Sequence, residues 1–208
     1  MSVFTTDQEN FWAGDFGTEY ISRNKTKGML AANIHLFSKI ISKTDGISSV
    51  FEFGPNIGLN LNAILTIKPE VTIAGIEINK NAFEILQKNF PDGKFANQSI
   101  ADFEPTSKYD LSFIKGVLIH LNPKLLDSTY EKIYETSNRY VLICEYYNPS
   151  PVTIEYRGHK DRLFKRDFAG EFLKKYSDTK LIDYGFLYHL DSNFPQDDET
   201  WFLIEKIK

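Results

Sequence analysis

The sequence predicts an α/β fold, doubly wound around a mostly parallel seven-stranded sheet with an antiparallel C-terminal strand. Three observations carry this expectation. Short apolar runs alternate with amphipathic stretches from residue 49 to residue 145. The strand runs are nearly continuous in apolar residues, as strands covered on both faces must be. The last two apolar runs are joined by a polar loop of roughly ten residues, too short for a parallel crossover.

Each element has its own signal. Leu30, Ile34, Phe37 and Ile41 recur at helical spacing and share one face of a helix that Asp45-Gly46 ends. Ser49 to Phe53 reads as the first strand, Gly54 to Gly58 as a turn, and Leu61, Ile64 and Leu65 as one face of a helix that stops at Pro69. Val71 to Ile76 is the second strand, and Asn79 caps a helix bearing Ala82, Phe83, Leu86 and Phe90. Pro91-Asp92-Gly93 turns the chain into a short strand, Lys94 to Asn97. Leu111 to Ile114 is the fourth strand, Asn122-Pro123 opens a helix over Leu126, Tyr130, Ile133 and Tyr134, and Arg139 to Glu145 is the fifth. A helix around Asp167 to Tyr176 precedes the final strand pair, Leu181 to His189 and Thr200 to Ile207. In such a sheet, ligands bind at the carboxyl ends of the strands, so function belongs in the loops that follow them.

Composition narrows the function classes. A chain of 208 residues with 42% hydrophobic residues buries a full core. Its net charge of −4 argues against a general nucleic-acid binder, which needs a surplus of Lys and Arg. No apolar run is long enough to span a bilayer, and the opening residues lack a basic segment followed by an apolar one, so a soluble cytoplasmic protein with a small-molecule partner is expected. The oligomeric state is left open. Cys144, the single cysteine, lies in a buried-looking strand, and four scattered histidines offer no ligand spacing, so no metal is expected.

The run Val50-Phe-Glu52-Phe-Gly54-Pro-Asn56-Ile-Gly58 leaves a strand and opens a helix. Glu77 closes the next strand about 20 residues later, the separation of a ribose-binding acid. Gly54 and Gly58 let the backbone approach a ligand without a Cβ in the way, and a carboxylate at Glu77 accepts bonds from both ribose hydroxyls.

With its acid two positions before a glycine-rich turn, the motif resembles that of the class I S-adenosylmethionine-dependent methyltransferases, which have a Rossmann-like fold. The resemblance implies S-adenosylmethionine as cofactor. It implies that Glu52, Gly54, Asn56 and Gly58 hold its methionine part, Glu77 with Ile78 its ribose, and Ser99 with Ile100 its adenine. Asn56 stands where many members have glycine, and Ser99 where many have aspartate. A narrower resemblance, to the pseudaminic acid biosynthesis-associated methylases, lies in Phe11-Trp12-Ala-Gly14-Asp-Phe-Gly17, in Lys115-Gly-Val-Leu-Ile-His120-Leu-Asn-Pro123 and in Glu145-Tyr-Tyr-Asn-Pro149. It implies an anionic, sugar-acid-like acceptor, and Lys115 is counted with the cofactor-binding residues. The chain then divides as one domain into an N-terminal lid and helix (1–45), a cofactor-binding half (46–145) and a substrate-side loop with the strand pair (146–208).

Methyl transfer from a sulfonium needs alignment and exclusion of water, and a general base only for a protonated acceptor. His120 and His159 are the candidate bases, with Tyr146 as a positioning hydroxyl; His120 read plainly abuts the following helix. Tyr147 and Asn148 follow the fifth strand where a substrate sits. The basic run from Glu155 to Asp167 has two readings, a solvated loop leading into a helix or an anion clamp of Arg157, Arg162 and Arg166. Trp12, Tyr20 and Arg23 form a lid over the cofactor or pack the first helix; Gly14 and Gly17 lend a lid flexibility.

Three other readings compete. The turn lacks the G-x-G-x-x-G spacing of a nicotinamide dehydrogenase. A catalytically silent cofactor-binding or partner-binding module shares the fold without the chemistry. Asn148-Pro149-Ser-Pro151 is similar to the motif of amino-methylating nucleic-acid enzymes, but it follows the fifth strand rather than the fourth.

Overall fold

The computed structural model describes residues 4–23 and 27–207, without the side chains of Arg23 and Lys27. The predicted alternation is present: β1 (Ser49–Phe53), α4 (Leu59–Ile67), β2 (Thr72–Glu77), α5 (Lys80–Asn89), β3 (Lys94–Asn97), β4 (Tyr109–Lys115), α6 (Leu126–Thr136) and β5 (Ser137–Glu145). Ahead of it stand α1 (Asp7–Ala13), α2 (Asp15–Tyr20) and α3 (Lys27–Ile41). After it come β6 (Val152–Tyr156), β7 (His159–Lys165), α7 (Phe168–Lys175), β8 (Thr179–Phe186) and β9 (Thr200–Lys206). The main sheet has seven strands in the order β3-β2-β1-β4-β5-β9-β8. β1 to β5 run parallel, and β9 lies antiparallel to both β5 and β8.

Side chains alternate across the sheet because successive residues of a strand face opposite ways. Phe51, Phe53, Ile114, Val141 and Ile143 join the layer under α6 and α7, against Ile133 and Phe172. Val50, Phe113, Leu142 and Cys144 join the layer under α3 and α4, against Phe37 and Ile64. Each fully buried side chain of this size contributes roughly 1.5–3 kcal/mol. Ser112, the polar interruption in β4, is satisfied by donating to the Ile133 carbonyl at 3.0 Å.

The sheet delivers its carboxyl ends to one edge. Phe53 registers with Ile76 and with Ile114, Glu77 with Asn97, and Lys115 with Cys144. The loops leaving β1, β2, β3 and β4 therefore meet over a common space.

Two segments differ from the sequence reading. The run from Glu155 to Asp167 leads into a helix as expected, Asp167 capping α7, but it is not a plain loop: most of it is the β6–β7 ribbon, turning at Arg157 (φ 51°) and Gly158 (φ 82°). Its charged residues mask the period-2 pattern, and Leu163 is its one buried side chain. The N-terminal opening forms two short helices. Thr6 and Glu9 make a capping box at the start of α1, with Glu9 N donating to Thr6 Oγ1 at 3.2 Å and Thr6 N donating to Glu9 Oε2 at 2.9 Å. Gly17 lies within α2, and an added Cβ there would stand 1.9 Å from the Trp12 carbonyl oxygen, so its missing side chain lets the two short helices pack closely.

Candidate functional site

A cavity of about 460 Å³ opens at the carboxyl edge of the parallel strands. Its floor is the β1 turn (Gly54 to Ile57), the end of β2 (Glu77, Ile78) and the residues after β3 (Ser99, Ile100). Lys115, Gly116, Val117 and His120 line it from the β4 side, Trp12 and Tyr20 from the N-terminal helices, and Asp197 and Glu199 from the loop before β9.

Glu77 is pinned at the centre. Its Oε2 accepts Asn56 N and its Oε1 accepts Asn79 N, both at 2.8 Å, so the β1 turn and the start of α5 hang on one carboxyl group. Each oxygen keeps an acceptor position for a ligand hydroxyl. Burial raises its pKa, and the backbone N–H groups of Asn79, Asn56 and Ile78 pull it part of the way back. Asn56 holds a positive φ of 51°, tolerable for asparagine, which presents its amide to Glu77. Gly54 (φ 75°) lines the cavity, with Val117 filling the place of its missing Cβ.

Glu52 and Gly58 lie behind this wall rather than in it. Gly58 caps α4 at φ 88°, and a Cβ there would come within 2.3 Å of Phe90. Its role is helix packing, not ligand approach. Glu52 is fully buried; its Oε1 accepts Asn60 Nδ2 at 2.7 Å, and Asn60 Oδ1 in turn accepts Asn33 Nδ2 at 2.8 Å. Burial pushes its pKa up to about 8, so near neutrality the carboxyl is mostly protonated. Its polarity reaches the cavity only through Asn60 and Asn33, which line it.

His120 is 8% exposed and donates from Nδ1 to the Arg162 carbonyl at 2.6 Å, leaving Nε2 as its lone-pair nitrogen. Burial lowers its pKa to about 4, so it is neutral. The short 3₁₀ turn Leu118–His120 that carries it is held by Glu145, which accepts Val117 N at 2.9 Å and Leu118 N at 2.8 Å. The ring sits between Trp12 and Tyr156, with centroids 4.6 and 4.9 Å away. Burial pulls the Lys115 pKa down, but the charge and hydrogen bond of its partner Glu199, with the Cys144 and Tyr20 groups, together raise it, so the ammonium stays charged.

Other expected residues stand outside the cavity wall. His159 is exposed and packs against Phe11 and Phe16 on the β6–β7 ribbon. Tyr146 lies under Lys165, 4.8 Å from its ring centroid, and its hydroxyl pKa is raised by burial and then by Asp197 and Glu199. Tyr147 bridges Arg166 in the backbone, and Asn148 donates to the Ser150 carbonyl. Arg166 Nε lies 2.9 Å from Glu171, and Arg162 sits over the Phe11 ring, 5.2 Å from its centroid, so both brace neighbouring elements. Arg157 is exposed at the ribbon turn, over Tyr156. The side chain of Arg23 lies outside the described residues.

Sequence reasoning missed Glu9, Asn33, Asn60, Asp197 and Glu199, all on the cavity wall. The capping box signals Glu9; nothing local signals the other four.

The sheet order, with its antiparallel β9, is that of solved methyltransferases carrying S-adenosylmethionine or S-adenosylhomocysteine. The plantazolicin methyltransferase BpumL with S-adenosylhomocysteine matches at TM-score 0.69 and 15% identity, over 97% of this chain and 94% of its own. The Burkholderia thailandensis 1,6-didemethyltoxoflavin-N1-methyltransferase with S-adenosylhomocysteine matches at TM-score 0.74 and 10% identity, over 100% and 94%. Magnesium protoporphyrin IX methyltransferase from Synechocystis PCC 6803 with S-adenosylmethionine matches at TM-score 0.65 and 13% identity, over 99% and 100%. At these identities the likeness is one of fold. No protein-family model and no curated protein matches the sequence.

Proposed function

We propose that the chain is an S-adenosylmethionine-dependent methyltransferase acting on a small, sugar-acid-like acceptor. One observation carries the reading: the Glu77 carboxyl, buried at the end of β2 and fixed by Asn56 N and Asn79 N, faces a cavity beside the Gly54 turn. That is the arrangement a ribose diol requires.

The residues fit the cofactor. Glu77 offers acceptors for two hydroxyls, and Ile78 and Ile100 offer apolar surface for a base. Trp12, on the cavity wall, has its Nε1 buried without a partner among the described residues, a donor in wait of an acceptor. Lys115 and the Asn33–Asn60 pair would hold the amino-acid end. When bound, the cofactor supplies an electrophilic methyl group on a sulfonium.

The protein's part is alignment and dryness. Trp12 and Tyr20 wall the cavity from the N-terminal helices, and His120, neutral with Nε2 unprotonated, is the group able to take a proton from a hydroxyl acceptor. For the sugar-acid acceptor, the support is the motif resemblance together with Arg157. That guanidinium is exposed at the ribbon turn over Tyr156, whose ring packs on His120, and an exposed arginine there is free to meet a carboxylate on an acceptor.

Calorimetric titration with S-adenosylmethionine tests the cofactor: micromolar binding by the wild type and none by a folded Glu77→Ala variant is expected. Absence of binding by the folded wild type sinks the reading. A screen of nonulosonic acids and their nucleotide-linked forms, scored by S-adenosylhomocysteine release, tests the acceptor; cofactor binding with no turnover on any of them would leave a silent module.

A further inference from the structure

We propose that Glu9, carried in by α1, reads the purine of the cofactor by accepting its exocyclic amino group, with Ser99 as the residue that positions it. This rests on the cofactor reading above. Where β3 ends, the cavity wall offers the apolar side chains of Ile78, Ile100 and Leu121, with Glu9 and Ser99 as polar neighbours, a setting for a flat ring with one polar edge.

The two oxygens of Glu9 differ. Oε2 accepts Thr6 N, Thr6 Oγ1 and Thr5 Oγ1, each at 2.9 Å, and is saturated. Oε1 takes only a close contact from the Ser99 hydroxyl and keeps a lone pair. Among the described residues no lysine or arginine forms an ion pair with this carboxylate, although Glu9 is 4% exposed. Burial alone would raise its pKa, but the hydroxyls of Ser99, Thr5 and Thr6 and the Thr6 amide together lower it, so Glu9 is ionised and acts only as an acceptor.

Ser99 has its one proton committed to Glu9, and its oxygen accepts Ala101 N at 3.0 Å. It therefore serves the purine through Glu9 rather than by its own hydroxyl. An acceptor-only carboxylate favours a 6-amino purine over a 6-oxo purine, which would set a carbonyl oxygen against it.

The test compares S-adenosylhomocysteine with its deaminated 6-oxo counterpart, S-inosylhomocysteine, on the full chain by calorimetry. Wild type is expected to prefer the amino form by at least about tenfold, the worth of a hydrogen bond to a charged group. Glu9→Gln keeps the capping box, since glutamine serves at that position, and should lose most of this preference. Ser99→Ala should lose part of it. Retention of the full preference by folded Glu9→Gln overturns the inference while leaving the cofactor reading intact. Failure of wild type to bind either ligand overturns both.

Discussion

Lys115, at the end of β4, and Glu199, just ahead of β9, form a buried ion pair on the cavity wall, their side chains 14% and 5% exposed. The pair ties the central parallel strand to the antiparallel tail, and the Cys144 thiol donates to the same Glu199 oxygen at 3.5 Å. Removing one partner strands the other's charge in a place with little water. Glu199→Gln alone is expected to destabilise the fold by about 3–5 kcal/mol, whereas Lys115→Met combined with Glu199→Gln should cost far less. Denaturant unfolding of the two single variants and the double variant measures this coupling; additive losses would show that the pair does not act as a unit.

Asn79 joins α5 to the N-terminal helices. Its Oδ1 caps Ala82 N at 3.1 Å, while its Nδ2 reaches the Trp12 and Gly14 carbonyls at 3.1 and 3.2 Å. Asn79→Ala should cost roughly 1–2 kcal/mol through the lost cap. It should also speed amide exchange across residues 7–20 far more than in the sheet. Uniform acceleration throughout the chain would refute the latch.

His120 sets the acid limb of stability. Its folded pKa, lowered by burial to about 4, lies below the ordinary 6.5, so between those values the unfolded chain binds the extra proton. Stability contributed by the neutral ring is complete above 6.5 and lost as pH falls toward 4, with a ceiling on the order of 3 kcal/mol. Unfolding free energies of wild type and His120→Gln across pH 4–7 measure it, and the variant should show the shallower slope.

Glu52 acts in the opposite sense. Its folded pKa, raised by burial to about 8 from 4.5, makes its contribution complete below 4.5 and lost as pH rises through 8. Glu52→Gln reproduces the neutral carboxyl and keeps an acceptor for Asn60, so it should flatten the decline between about pH 4.5 and 8. An unchanged slope across that range would show that Glu52 is ionised in the fold.

Gly58→Ala separates packing from binding. A side chain there meets Phe90 at 2.3 Å and must hold φ 88°, so a loss of at least about 1–3 kcal/mol is expected. Because Gly58 does not line the cavity, cofactor affinity measured well below the melting temperature should fall much less than in Glu77→Ala.

The sheet was legible because its inner strands, β1, β2, β4 and β5, are buried almost throughout and so read as apolar runs. β1 and β3 have the predicted ends, Ser49–Phe53 and Lys94–Asn97, and Asn79 caps α5 as its residue type suggests. The β6–β7 ribbon was not legible, because a hairpin with a single buried side chain carries almost no hydrophobic period. Glu77 was found from spacing alone, since strand length and turn length put a carboxylate at that distance from the Gly54 turn.

The sequence by itself determined the succession of strands and helices, the mostly parallel sheet with its antiparallel C-terminal strand and the acid at the end of β2, because periodicity and turn chemistry are local properties of the chain. Only the tertiary structure decided which side chains share the cavity. Glu9 meets Ser99 across 90 residues and Lys115 meets Glu199 across 84. Arg162 and Arg166, which looked like an anion clamp, are spent on Phe11 and Glu171. Such pairings depend on how helices and loops pack over the sheet edge. No local pattern encodes which buried charge will find which partner.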